Sequence, residues 1–373
     1  MHLGMFMHPI HDFRRGYHTL LFEDMDVIRA ADEEGFDEVW LGEHFLLPSE
    51  PFADPLMIYA RLAAECKRII FGSGVHCLPN QHPAIVAGRA AQFDHLVEGR
   101  FIMGVGPGAA PPDFELFGVL DKNRMEMLEE SVDMIVKLWT TDPPYDIRGK
   151  YWQAVVKDNI LPHIGVGKMT EPYQKPHPRI MLPSMSRNSA SSRLAARRGW
   201  EMISANFVPA DVLIGHWRDY CDERTKHGLA IEPHRWRAGR TLLVTETDEE
   251  AQAYLNSPGN ALEWYFHYII GLTGHGGFVG MLKSDPDMPD SEITPRYCID
   301  SMVIAGSPRA VAERLAAFRE RTGPFETLII SHHDWVPRDL WRRHMHLVAH
   351  EMLPILRDLT GTRHLAPERM AAE

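Results

Sequence analysis

The sequence predicts an α/β fold, a (β/α)₈ TIM barrel, on three observations. Short apolar runs alternate with segments of helical period, eight such strand–helix units follow one another, and the polar excursions between them fall in two places, about 141–178 and 257–300. An open doubly wound sheet holds a similar number of strands, so the count alone does not close the barrel. No internal repeat or low-complexity tract is visible, and one domain over 1–373 with two insertion segments is the economical organisation.

Taken in order, Leu3–Met7 reads as the first buried strand. Leu21, Met25, Ile28 and Ala31 then share one helical face, and Gly35 stands where a left-handed cap is expected. Glu38–Gly42 is the second strand. Asp54 followed by Pro55 is an N-cap with proline in the first turn, opening a helix to about Cys66. Arg68–Gly74 is the third strand, His82–Glu98 the third helix and Phe101–Val105 the fourth strand, after which Leu128, Val132, Ile135 and Trp139 repeat at helical spacing. Prolines at 143, 144, 162, 172, 176 and 178 break the pattern. It resumes with strands at Arg179–Pro183 and Glu201–Ser204, a helix near Ala210–Glu223, and a strand around Arg240–Thr245. Asp248, Glu249 and Glu250 form the acidic first turn of another helix. A stretch rich in Gly, Asp and Pro at 271–297 precedes the last unit: a helix opened by Ser307 and Pro308, the strand Thr327–Ser331, and a helix from about Pro337.

Composition narrows the function. Asp plus Glu outnumber Lys plus Arg by 51 to 39, a formal charge of −12, which speaks against phosphate-backbone binding and hence against a nucleic-acid partner. The four cysteines (Cys66, Cys77, Cys221, Cys298) form no paired motif, so a reducing, cytoplasmic setting is expected. No basic-then-apolar leader opens the chain and no apolar run reaches the roughly 20 residues of a membrane span.

A barrel of this kind builds its site from the loops after the strands. Those loops hold His8 and His11; Glu43, His44 and Phe45; the run from Val75 to Pro83; the glycines 104, 106 and 108; and Met185 to Ser192. The three glycines are spaced G-x-G-x-G, not the dinucleotide fingerprint. Asn188, Ser189, Ser191 and Ser192 precede or open a helix, where backbone N–H groups favour an anion, and Arg187 adds charge. A simple N-cap needs one such residue, so the excess favours a phosphate. With 21 histidines a metal needs weighing. His344 and His346 fall on one helix at a spacing that points them about 200° apart. His332 and His333 sit at a strand end, but no set of three or four ligands emerges, and no metal is expected.

The segments FMHPIHDF, GFDEVWLGEHF and LPNQHPAIVAGRAAQFDHLVEGRFIMGVGPG, with RIMLPSMSRNSASSRLAARRGW and MVIAGSPRAVAERLAAF later, resemble the bacterial-luciferase-like flavin monooxygenases, and within them the limonene-monooxygenase-like branch. The resemblance implies a two-component monooxygenase. Reduced FMN from a separate NAD(P)H:flavin reductase would react with O₂, through a C4a-hydroperoxide, and oxygenate a small, apolar substrate; a homodimer is the family expectation. It implies that His44 is catalytic, an imidazole able to hydrogen-bond or protonate an oxygen species; the plain alternative ties Glu43 to a neighbouring loop. His8, His11 and Phe45 would line the substrate pocket, although a loop histidine stacked beneath Pro9 explains His8 equally. Gly74 and Val75 match the place of an unusual cis bond beneath the flavin. Leu78 and Asn80 would meet its polar edge, Met185 would adjoin it, and Arg124 with Asn188, Ser189, Ser191 and Ser192 would take the phosphate. One departure stands out: Pro107 replaces a second arginine of luciferase. The rivals are an F420-dependent oxidoreductase on the same fold and, from another class, a metal-dependent barrel hydrolase. The segment 271–297 reads as a lid.

Overall fold

The computed structural model describes residues 1–364; the last nine residues of the expected domain lie outside the described residues. Eight parallel strands close a barrel: β1 (His2–Met7), β2 (Glu38–Leu41), β3 (Ile70–Ser73), β4 (Phe101–Gly106), β5 (Arg179–Ser184), β6 (Glu201–Ser204), β7 (Trp236–Val244) and β8 (Thr327–His332). Each pairs with its neighbours in sequence, and β8 returns to β1 in the register His2–Thr327 to Met7–His332. That last pairing closes the barrel and excludes an open sheet.

The helices end where the local chemistry directs. Tyr17–Glu34 stops at Gly35, whose φ of +89° supplies the left-handed cap. Pro55–Leu62 starts on the Asp54 side chain, which accepts from the Leu56 N–H. Alternating strand residues face either a ring of outer helices or a small interior core of Trp40, Ile70, Ile102, Met181, Ile203 and Ile329. Gly72 makes room for this core: a Cβ there would lie 2.3 Å from the Trp40 ring.

Strand β7 differs from the sequence expectation. Its barrel-closing half is Trp236–Arg240, earlier than Arg240–Thr245, because the run carries Arg237, an unusual residue for a barrel interior. Arg237 is fully buried and bridges β2 and β6, with Nε to Glu38 at 2.7 Å and Nη1 to Glu201 at 2.7 Å. Neutralisation from both sides keeps it charged; burial opposes this, and the two carboxylates raise its pKa further. The second half of β7 leaves the barrel and pairs with an additional strand, Val303–Gly306. Of the excursions, 141–178 holds an antiparallel hairpin, Tyr145–Arg148 with Gln153–Val156. The second holds the helices Ala261–His275 and Pro295–Met302 and is irregular mainly between them. No helix among the described residues is long and apolar enough to cross a membrane.

Candidate active site

The C-terminal mouth of the barrel opens into a cleft lined by residues from the loops after several strands. Its floor is the top of the interior core, Met181, Ile203 and Ile329. Its roof comes from the second insertion: Ile269, Leu272 and Thr273 on the helix Ala261–His275, then Phe278 and Met281. Arg187, from the loop after β5, clasps that roof by donating to the backbone carbonyls of Lys283 at 2.8 Å and Ser284 at 2.6 Å. The aromatic residue Trp264 of the helix Ala261–His275 takes no part in the cavity wall. That ring is 41% exposed and donates its indole N–H to the Ile10 carbonyl.

The loop after β2 places His44 in the cavity wall between two buried carboxylates. Nε2 lies 3.5 Å from Glu50 and Nδ1 lies 3.6 Å from Asp113. Asp113 is fixed by backbone N–H groups of Phe45 and Leu46, the latter at 2.9 Å. Burial works against a charged His44, but Glu50 and then Asp113 outweigh it and raise its pKa. Burial alone would raise Glu50, yet His44 and His8 bring it down to about 2.

His8, at the end of β1, reaches the same carboxylate: Nε2 is 3.1 Å from Glu50, and Nδ1 is 2.9 Å from the Tyr265 hydroxyl. Asn206 donates to that hydroxyl and to Thr241, each at 2.9 Å. A continuous polar chain thus runs from β7 through Asn206, Tyr265, His8 and Glu50 to His44. Glu43 is turned away from His44 and accepts from Gln81 and the Cys77 N–H, with His76 Nδ1 at 3.2 Å; it ties the β2 and β3 loops.

Gly74 and Val75 form part of the wall, joined by a cis peptide bond, and Met185 adjoins them. Asn80 lies in the next turn; its Oδ1 and Nδ2 are buried and lack any partner, an unmet hydrogen-bonding demand. Leu78 is buried in the core below.

Four expectations meet a different placement. His11 lies outside this cavity: it is buried between Asp24 (Nε2, 3.0 Å) and Asp334 (Nδ1, 3.3 Å), in a second cavity beside the helix Tyr17–Glu34. Phe45 turns outward, 44% exposed, and packs edge-on against Phe117, because its own N–H is pinned to Asp113. The polar excess of the β5 loop is partly internal: Ser189 caps the Ser192 N–H at 3.0 Å, and Ser192 bonds Ser184 at 2.9 Å. Ser191 and Asn188 stay free of such ties; Asn188 is exposed with φ of +55°. Arg124 begins the helix Arg124–Thr140, lies 4.0 Å over the Phe114 ring and donates to the Leu120 carbonyl. Sequence reasoning missed Glu50, Asp113 and Tyr265. Glu50 lies in the loop after β2 and Asp113 on the short helix Pro111–Leu116 after β4, where spacing marks neither; Tyr265 sits in an insertion whose position no pattern fixes.

Against known proteins, residues 1–324 match the Luciferase-like monooxygenase family. The chain is 27% identical to 3,6-diketocamphane 1,6-monooxygenase of Pseudomonas putida, covering 95% of this chain and 98% of that one. It is 25% identical to limonene 1,2-monooxygenase of Rhodococcus erythropolis, over 96% and 88%. The structure of the oxygenating constituent of 3,6-diketocamphane monooxygenase from Pseudomonas putida, a type II Baeyer–Villiger monooxygenase in complex with FMN, superposes with a TM-score of 0.85 at 26% identity, over 98% of this chain and 99% of that one. With the family matched over most of its length and the barrel in place, the chain belongs to the luciferase-like monooxygenases.

Proposed function

We propose that this protein is the oxygenase component of a two-component flavin-dependent monooxygenase, which uses reduced FMN and O₂ to oxygenate a small, largely apolar molecule. The observation that carries this reading is the cavity: walled mainly by aliphatic, aromatic and methionine side chains, and lined by an imidazole, His44, that lies between two carboxylates.

The residues present fit FMN. Gly74 and Val75 line the apolar wall of the cleft, and Asn80, in the turn that follows, has both side-chain polar atoms buried and unmet. Ser191, Asn188 and the backbone opening the helix Ala190–Arg198 would take the phosphate. Pro107, which lines the cavity, brings no charge, so the phosphate rests on fewer cations than in luciferase. When bound, reduced flavin supplies the two electrons that activate O₂. The balance is one oxygen atom into the substrate and one into water, with the flavin oxidised.

The chain's own groups do the rest. His44 holds a proton at the cavity wall for the oxygen that leaves as water. Glu50 and Asp113 keep that proton on the ring and orient it. The insertion roof, clasped by Arg187, excludes bulk water, which would otherwise divert the reducing equivalents to peroxide. Among the described residues no Lys or Arg lines the cavity, which favours a neutral substrate. His8 and His44 offer polar contacts to a molecule that carries an oxygen function.

The related FMN-bound structure is named an oxygenating constituent, which supports a separate reductase as the source of reduced flavin. The same reading keeps the whole chain as one domain, acting in the cytoplasm as a homodimer. Anaerobic titration with reduced FMN and with reduced F420 tests the cofactor: tighter binding of FMN, weakened by Asn80→Ala, is expected, and preference for F420 would replace this reading with hydride transfer.

A further inference from the structure

The sequence singled out histidines of the last helix and found no ligand set there; the fold supplies the missing member from the other end of the chain. His346 and His350 stand four residues apart, and Glu34, the last residue of the helix Tyr17–Glu34, comes up between them. One Glu34 oxygen, Oε2, lies 3.1 Å from His346 Nδ1 and 2.8 Å from His350 Nε2. The donor atoms all fall within 4.8 Å of one another, and the two imidazoles are 4.7 Å apart between centroids.

We propose that Glu34, His346 and His350 form a surface site for a late first-row divalent cation such as Zn²⁺. Two imidazoles and one carboxylate are a preferred donor set for that class. Ligands bound at the usual zinc distances of about 2.1 Å sit roughly 3.4 Å apart, so a shift of a few tenths of an ångström lets the carboxylate admit the ion. Two further observations point the same way. The helix widens to a π-turn at Val348–Met352, beneath His350, and such turns interrupt helices chiefly where side chains are being aimed. The imidazoles are 58% and 51% exposed, so the fourth position is open to water or another ligand and the ion can enter.

The site joins the first long helix to the last, which pack side by side where the barrel closes. The ion would therefore act as a staple between the ends of the chain, remote from the cavity. A second cluster, His2, Asp37 and His364, also ties these ends. It is the weaker candidate because Asp37 already accepts from the Leu3 N–H at 2.9 Å and from His364 at 2.9 Å.

The test uses the full chain stripped with a chelator. It is titrated with Zn²⁺ by calorimetry and with Co²⁺ by visible absorption, and its melting temperature is followed with and without Zn²⁺. One equivalent per chain should bind and raise the melting temperature. His346→Ala/His350→Ala should lose both effects while melting like the metal-free parent, Glu34→Gln should weaken binding at least tenfold, and His364→Ala should change nothing. Absence of saturable binding overturns the proposal, as does binding that survives the double substitution or disappears in His364→Ala instead.

Discussion

Two histidines near the ends of β1 and β2 share one electrostatic design and differ in what surrounds it. His44 and His11 each lie between two carboxylates, Glu50 and Asp113 in one case, Asp24 and Asp334 in the other. In both, burial disfavours the charge and the neighbouring acids restore it; for His11 the result is a pKa of about 9. His44 opens onto the apolar cavity, with its carboxylates 3.5 and 3.6 Å away, so its proton can be offered elsewhere. His11 is 1% exposed, and its closer contacts, 3.0 and 3.3 Å, hold the helix Tyr17–Glu34 to the loop after β8. A raised pKa marks a paired histidine; access to a reaction chamber makes it a catalytic candidate.

The sharpest way to break this contrast is substitution of each ring. His44→Ala is expected to lower turnover per folded molecule by about 10²–10⁴-fold, because it removes a proton donor that faces the cavity. A loss of stability with turnover retained would move His44 into His11's class. His11→Ala should do the reverse. Taking the cation from between two buried acids costs about 3 kcal/mol, read from denaturant unfolding, with turnover per folded molecule retained.

The pH dependence sharpens the same difference. His11's folded pKa lies above its unfolded value of 6.5, so its stabilisation is complete below pH 6.5 and disappears as pH rises through about 9. Unfolding free energy should fall across that window in the parent and lose this slope in His11→Ala. Glu50→Gln acts on the other ring. Turnover should drop roughly tenfold, and the alkaline limb of its pH profile should move toward acid, since the nearest anion to His44 is gone. An unmoved limb would show that Asp113 alone sets the proton. Tyr265→Phe carries the smallest effect. It frees His8 Nδ1 and Asn206 from a shared hydroxyl, for about 1 kcal/mol of stability and a few-fold in turnover.

How much of this was legible in the sequence varies by element. The eight barrel strands were, since seven are unbroken apolar runs bounded by turn residues. The exception, β7, was placed late because Arg237 and Arg240 interrupt its pattern, and only the distant Glu38 and Glu201 make Arg237 tolerable inside a barrel. His8 and His44 were legible as strand-end residues, and Gly74 and Val75 from family likeness. For His11 the sequence favoured a plain loop role over a pocket role, and three residues of loop do turn it to the other side of β1, toward acids on an outer helix and after β8. Glu50 and Tyr265 were not legible, for they meet His8 through contacts 42 and 257 residues apart in the chain, and spacing says nothing about those. The same holds for Glu34, which is 312 residues from His346.

The most direct test of the central claim is the fate of labelled oxygen. Reduced FMN, the protein and a panel of small neutral cyclic ketones and alkenes are mixed with ¹⁸O₂, and both ¹⁸O in organic product and hydrogen peroxide are measured. One labelled atom per product molecule, with peroxide suppressed by the parent protein but not by His44→Ala, is the predicted result. Label recovered only as peroxide, at the rate of free reduced FMN and equally with both proteins, would contradict it.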